Sequence, residues 1–309
     1  MTSLQDAPRF GRVITAMVTP FDDDGALDLD AAIELARWLA AHGSDGLVLT
    51  GSTGEGSVLT DDEKMALWRA VADAVTIPVI AGTGSNDTAH SVQLTARAVT
   101  SGVDGVLVVT PYYNRPSQAG IHEHFRAVAE AAGNVPVILY DIPVRSGRRI
   151  KTATMLRLAR EVPNVVALKD AAGDPATTAH LVAQAPSGFE VYSGDDVLTL
   201  PLLAIGAVGV ISVASHWVGP QFRRVIDAFV AGDLATAIAD HAELLDSFDF
   251  ESSEDYPNPL PAKAVLRALG LRVGQCRLPM GDATAELDAQ AAKILAAVGP
   301  PAATAGPLG

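Results

Sequence analysis

HGSDGLVLTG at residues 42–51 and SGVDGVLVVTP at residues 101–111 are one unit written twice: a helix end, a glycine turn, then an apolar strand. The two copies begin 59 residues apart, the length of about two strand–helix units at roughly 30 residues each. IGAVGVISV at 205–213 is a third relative. Working outward from these copies, short runs rich in Val, Ile and Leu recur at 13–18, 46–49, 78–81, 105–109, 136–140, 165–169, 190–193 and 208–213. They are almost continuously apolar, as strands buried on both faces must be. Amphipathic stretches lie between them, for example 30–42, 61–75 and 152–161, and Thr60 and Asp87 stand where N-caps belong. Eight strands alternating with helices predict an α/β fold, a (β/α)8 TIM barrel.

From about Pro220 the strand pattern stops. Stretches 221–230, 234–246, 261–269 and 283–298 read as helices. The first completes the barrel and the other three predict a C-terminal helical extension. The expected division is a barrel over 1–232 carrying the active site, a helical domain over 233–298, and an unpacked tail, GPPAATAGPLG, over 299–309.

Composition narrows the function. The 309 residues carry 22 Lys+Arg against 36 Asp+Glu, a net charge of −14, which disfavours nucleic acid and anionic membranes as partners. A single cysteine, Cys276, excludes an internal disulfide framework and fits a reducing compartment. MTSLQDAPRF has no basic segment followed by an apolar one, as a signal peptide would. The apolar runs fall short of the roughly 20 residues a membrane helix needs. A soluble, cytoplasmic protein is expected.

In a (β/α)8 barrel, chemistry sits at the C-terminal ends of the strands. Those ends read Thr50-Gly51-Ser52-Thr53-Gly54-Glu55, Thr110-Pro111-Tyr112-Tyr113-Asn114, Tyr140-Asp141-Ile142-Pro143-Val144-Arg145 and Ala167-Leu168-Lys169-Asp170. Only five lysines occur. Lys64, Lys151, Lys263 and Lys293 sit in helical contexts or at a junction and read as ordinary surface cations. Lys169 ends an apolar strand, so its amine faces the barrel mouth, where desolvation favours the neutral, nucleophilic form. The competing reading is an ion pair with Asp170. Tyr140 ends the neighbouring strand and can relay protons through Ser52, Thr53 or Tyr113. Arg145 offers a fork for a carboxylate, and the Gly-Ser-Thr-Gly turn offers backbone amides for a second one. The stretch Gly82-Thr83-Gly84-Ser85 lacks the full phosphate-loop pattern, and His122 and His124, two apart on a helix, face different ways and make a poor metal pair. A lysine imine needs no metal, and no cofactor is expected.

The motifs VTPF (18–21), GSTGE (51–55), AGTGSN (81–86), VTPYYNRPSQ (109–118), YDIPVRS (140–146), LKDAAGD (168–174), SGDD (193–196), GVISV (209–213) and NPLPAK (258–263) together resemble the dihydrodipicolinate synthase / N-acetylneuraminate lyase family. These are class I, Schiff-base aldolases, and the likeness runs from about Phe10 to Val298. The resemblance implies that Lys169 forms a covalent imine with pyruvate, and that Tyr140, Ser52 and Tyr113 relay protons, Tyr113 into a neighbouring subunit's site. It implies Thr53 on the pyruvate carboxylate, Gly194 and Ile211 lining the site, and Arg145 on the second substrate's carboxylate. Pro111-Tyr112-Tyr113 with Arg145 is most similar to the lyases that condense pyruvate with L-aspartate 4-semialdehyde to 4-hydroxy-tetrahydrodipicolinate, on the route to lysine. A homotetramer built as a dimer of dimers is also implied.

Ser52, Asp141 and Asp170 stand where that branch usually has threonine, asparagine and glutamate. At the positions resembling the lysine feedback site, Gly56, Ser57, Asp61, Lys64 and His90 depart from the sensitive pattern, while Asn86 and Tyr112 fit it; weak or absent inhibition by lysine is expected. The rival readings are a 2-keto-3-deoxy sugar acid or N-acetylneuraminate lyase of the same family, and a non-catalytic ligand-binding barrel. Arg145 speaks against the first, because a polyol chain wants neutral hydrogen-bonding groups. The intact set of Lys169, Tyr140 and Tyr113 speaks against the second.

Overall fold

The computed structural model describes residues 7–299 and 301–303, so most of the 299–309 tail lies outside the described residues. Eight parallel strands close into a barrel in chain order: β1 (Val13–Ala16), β2 (Gly46–Leu49), β3 (Val79–Gly82), β4 (Gly105–Val109), β5 (Val137–Asp141), β6 (Val165–Asp170), β7 (Glu190–Ser193) and β8 (Gly209–Ser212). β8 pairs back onto β1, with Ile211 opposite Ile14. Two predicted runs start one residue early, at Pro78 and Pro136. Proline has no N–H for the ladder, and each carbonyl instead accepts from the neighbouring strand, Pro78 from Leu47 N and Pro136 from Val106 N.

Alternation along each strand divides the apolar residues into two layers. One set, including Ile14, Val48, Ile80, Leu107, Ile138 and Ile211, fills the barrel interior above Phe10. The other packs outward against the helices. The Phe10 ring fills the space over Gly105, where a Cβ would come within 2.9 Å of it. The register between β5 and β6 is irregular: Val137 pairs with Val165 but Ile138 pairs with Ala167, so Val166 is an extra residue. Beyond it Tyr140 stands opposite Lys169 and Asp141 opposite Asp170.

Helix starts follow the local sequence. Thr60 and Glu63 form a reciprocal capping box, and Asp87 accepts from Ala89 N. The predicted helix 221–230 begins earlier, as Ser215–Val230, with a break in helical geometry at Val218 just before Pro220. The predicted helix 234–246 is two pieces, Leu234–Glu243 and Leu245–Phe250. Two short helices at strand ends, Pro143–Ser146 and Thr199–Leu203, are too brief for any periodicity to announce.

The lysine assignments need correction. Lys151 and Lys293 are exposed, but Lys64 is buried and Lys263 is completely so. Lys263 Nζ lies 2.7 Å from Glu55, donates to Gln275 O at 2.8 Å, and sits 4.2 Å above the Phe21 ring. Its helix, Leu260–Ala268, is buried along most of its length, a fact its charged residues conceal. Around that ion pair the C-terminal chain grips the loop after β2. Arg277 N donates to Glu55, the Arg277 guanidinium donates to Glu63 and Val58 O, and Asn258 Nδ2 donates to Thr53 Oγ1 at 3.0 Å. Removing one partner of a buried pair leaves an uncompensated charge. Lys263→Met is expected to cost about 3–5 kcal/mol in urea unfolding, with much of that recovered in Lys263→Met/Glu55→Gln; an unchanged unfolding midpoint in the single variant would contradict the bridging role.

Candidate active site

The C-terminal ends of β2, β3, β4 and β5 open onto a cavity of about 410 Å³. Ser52, Tyr112, Tyr140 and Arg145 line it, beside Thr50, Asn86, Ile142 and Met280. Lys169 and Tyr140 emerge side by side from β6 and β5, both buried, with Lys169 Nζ 4.5 Å from the Tyr140 ring centroid. The lysine stands against Tyr140, which itself lines the cavity. No carboxylate lies within ion-pair distance of its Nζ among the described residues. The alternative pairing with Asp170 is not made. Alternation turns the Asp170 carboxylate to the outer face, where Thr178 Oγ1 and Ala172 N donate to it.

Burial is the chief reason that the Lys169 amine is held down at about 8, and the positive charge of Arg145 pushes the same way. Asp196, and Glu251 in its ionised form, act against it. Burial also raises the Tyr140 phenol to about 12, against the opposing effects of Arg145 and of a hydrogen bond with Ser52. A lysine lowered toward neutrality beside a tyrosine that keeps its proton is a nucleophile next to a proton carrier. Gly194 makes room for the lysine: a Cβ there would stand 2.9 Å from Lys169 Cγ and 3.1 Å from Cε.

Other expected residues distribute differently. Ile211 belongs to the barrel interior below the cavity, 1% exposed. Thr53 is buried with its hydroxyl accepting from Asn258. Tyr113 is 87% exposed, with a left-handed φ of 69°, and is not brought to Ser52 and Tyr140 within one chain; Tyr112 lines the cavity instead. Arg145 is exposed at the rim. Asp141 and Asp170 both point away from the cavity; Asp141 is pushed up to about 7 by burial, with the Asp170 charge adding to it. The seven positions compared with the feedback site all line this same cavity. There Asp61 gathers His90 at 3.0 Å, Lys64 at 3.6 Å and Arg97 at 3.8 Å.

His122 and His124 are both buried. His122 pairs with Glu123 and Glu161, while His124, lowered to about 4 by burial, meets Thr88 Oγ1. Three side chains escaped sequence reasoning: Asn258, Asp196 and Glu251. The first two lie within the motifs NPLPAK and SGDD and so carried a signal; Glu251 lies in the unpatterned stretch 249–256 and carried none.

Comparison with known proteins agrees with this geometry. Residues 9–298 match the model of the dihydrodipicolinate synthetase family. The chain is 51% identical over 294 residues to the 4-hydroxy-tetrahydrodipicolinate synthase of Symbiobacterium thermophilum, covering 94% of this chain and 99% of that one. It is 52% identical over 301 residues to the enzyme of the same name from Acidothermus cellulolyticus, covering 96% and 95%. Among solved structures, the lysine-bound dihydrodipicolinate synthase of Cyanidioschyzon merolae superposes with a TM-score of 0.90 at 45% identity, covering 93% of this chain and 98% of that one. With a closed eight-stranded barrel, a buried lysine beside a tyrosine, and a family match across nearly its whole length, the chain belongs to the dihydrodipicolinate synthetase family.

Proposed function

We propose that this chain condenses pyruvate with L-aspartate 4-semialdehyde to give 4-hydroxy-tetrahydrodipicolinate, as a lyase of lysine and diaminopimelate biosynthesis. Relatives at about 50% identity bear the name of that activity, and none of the comparisons favours a sugar-acid or sialic-acid lyase. The observation that carries the chemistry is the buried Lys169 amine beside the Tyr140 phenol.

The neutral Lys169 Nζ attacks C2 of pyruvate, and the carbinolamine loses water to give an imine. Tyr140, hydrogen-bonded to Ser52, carries the protons that leave the nitrogen and reach the departing hydroxyl. Loss of a proton from C3 gives an enamine, whose C3 adds to the aldehyde carbon of the second substrate. The amino group of that substrate then attacks C2, closing the ring and expelling Lys169. Arg145 at the rim would hold the semialdehyde carboxylate through its guanidinium fork. Thr53, fixed by Asn258, and the amides around it would hold the pyruvate carboxylate. Gly194 and Ile211 would shape the floor beneath the imine. No metal or other cofactor enters this sequence, since the protonated imine is itself the electron sink. Tyr113, fully presented at the rim on a strained turn, fits a role in a second copy's site, in a homotetramer arranged as a dimer of dimers.

Borohydride reduction in the presence of pyruvate is expected to leave a stable adduct on Lys169, located by peptide mass analysis, and none in Lys169→Ala. Because only the neutral amine attacks, trapping should fall about tenfold per pH unit below about 8 and level off above it. An adduct elsewhere, or a rate flat across that range, would refute the assignment. In a coupled steady-state assay, L-aspartate 4-semialdehyde should be turned over far faster than sugar-derived aldehydes; the reverse order would favour the rival lyase. L-Lysine at millimolar concentration should leave the rate nearly unchanged, since the Lys64 ammonium lines the cavity where a cationic inhibitor would sit. A micromolar inhibition constant would be incompatible with that reading.

A further inference from the structure

The loop after β7 and the chain following the helix Leu245–Phe250 bring two carboxyl groups together near Lys169. Asp196, 1% exposed, accepts three hydrogen bonds at Oδ2: from Ser212 Oγ at 2.8 Å, Val213 N at 3.0 Å and Ala214 N at 2.7 Å. Donors gathered in this way leave Oδ2 an acceptor only. The Glu251 side chain is in hydrogen-bonding contact with Asp196 and with the backbone amide of Ala214, and its buried Oε2 has no donor directed at it. A buried carboxyl oxygen that lacks a donor, on a group touching a carboxylate, completes the contact by keeping a proton. Consistently, burial first and the Asp196 charge second push Glu251 well above the usual carboxylate range.

Both groups lie within the electrostatic field of Lys169. The remaining titratable neighbours are few. Asp195, on the same loop, is itself pushed up by burial and by Asp196. His216, on the helix after β8, is lowered to about 4 by burial and so stays neutral. The Arg145 charge acts on the amine in the opposite sense to Asp196. A second ionised carboxylate near Lys169 favours the ammonium further; a neutral one leaves Asp196 alone to oppose desolvation.

We infer that Glu251 is a positioning residue for Lys169: as a neutral acid it donates from Oε2 to Asp196, orients that carboxylate, and leaves one negative charge instead of two behind the amine. The inference rests on the reading of Lys169 as the imine-forming residue. It gives the C-terminal segment a part in the electrostatics of the site as well as in its scaffolding.

The infrared difference spectrum between wild type and Glu251→Gln, recorded without substrate at neutral pH, should contain the carbonyl band of a protonated carboxyl in the wild type only; its absence overturns the proposal. Pyruvate trapping by borohydride supplies the functional arm. Glu251→Leu, which cannot donate, should trap about tenfold more slowly, with its pH midpoint displaced, and Glu251→Gln, which restores a donor of the same shape, should recover most of the loss. A wild-type rate and midpoint in Glu251→Leu would overturn the proposal. So would a Glu251→Gln variant as slow as the leucine variant, because charge and not the donated proton would then matter. Should the wild type itself form no adduct on Lys169, the imine reading fails, while the infrared band still reports separately on Glu251.

Discussion

The pairing of Lys169 with Tyr140 across β6 and β5 is the contact around which the molecule is arranged, and a single extra residue sets it. Val166 interrupts the ladder, and every residue beyond it in β6 advances by one against β5. Side chains alternate faces along a strand, so the position of that irregularity decides which residue of each strand is met across the ladder. As built, Lys169 and Tyr140 share the barrel interior, while Asp141 and Asp170 share the outer layer with the helices. Closure of the sheet then removes water from the amine, and desolvation turns an ordinary cation into a nucleophile near neutrality.

The cost of placing charge in the interior is met by partners contributed from distant sequence. Lys263 and Glu55 compensate each other between the C-terminal helices and the loop after β2, with Arg277 and Asn258 closing around them. That loop carries Ser52 and Thr53, so the C-terminal segment holds the proposed proton relay and carboxylate-binding residues in place. Asp196 ties the end of β7 to the end of β8 through Ser212 and two backbone amides, and Glu251 reaches it from the C-terminal side. A barrel supplies the strand ends; the helical segment makes their loops rigid.

Much of the architecture could be read from hydrophobic pattern. Three strands, at 46–49, 105–109 and 190–193, have the bounds their apolar runs predict, and the others differ by a residue or two at an end. Long periodic helices and the capping residues Thr60 and Asp87 were equally visible. The bulge at Val166 was not, because an extra residue inside an apolar run changes no local propensity. Lys64 and Lys263 were misread as surface cations for a related reason: helix periodicity marks an amphipathic face, but not whether a second element covers the polar one. Tyr113 was legible as a member of a motif, yet within one chain it stands apart from the residues it was grouped with.

By itself the sequence determined the alternation of strands and helices, the family, and the identity of the one lysine that ends a buried strand. Those features are encoded in local pattern and in motifs short enough to survive without spatial context. Only the tertiary structure decided which face each strand-end residue takes, how far burial moves its ionisation, and which remote carboxyl groups balance it. Dielectric environment and charge compensation depend on atoms brought together from across the chain: Glu55 with Lys263, and Asp196 with Glu251 near Lys169.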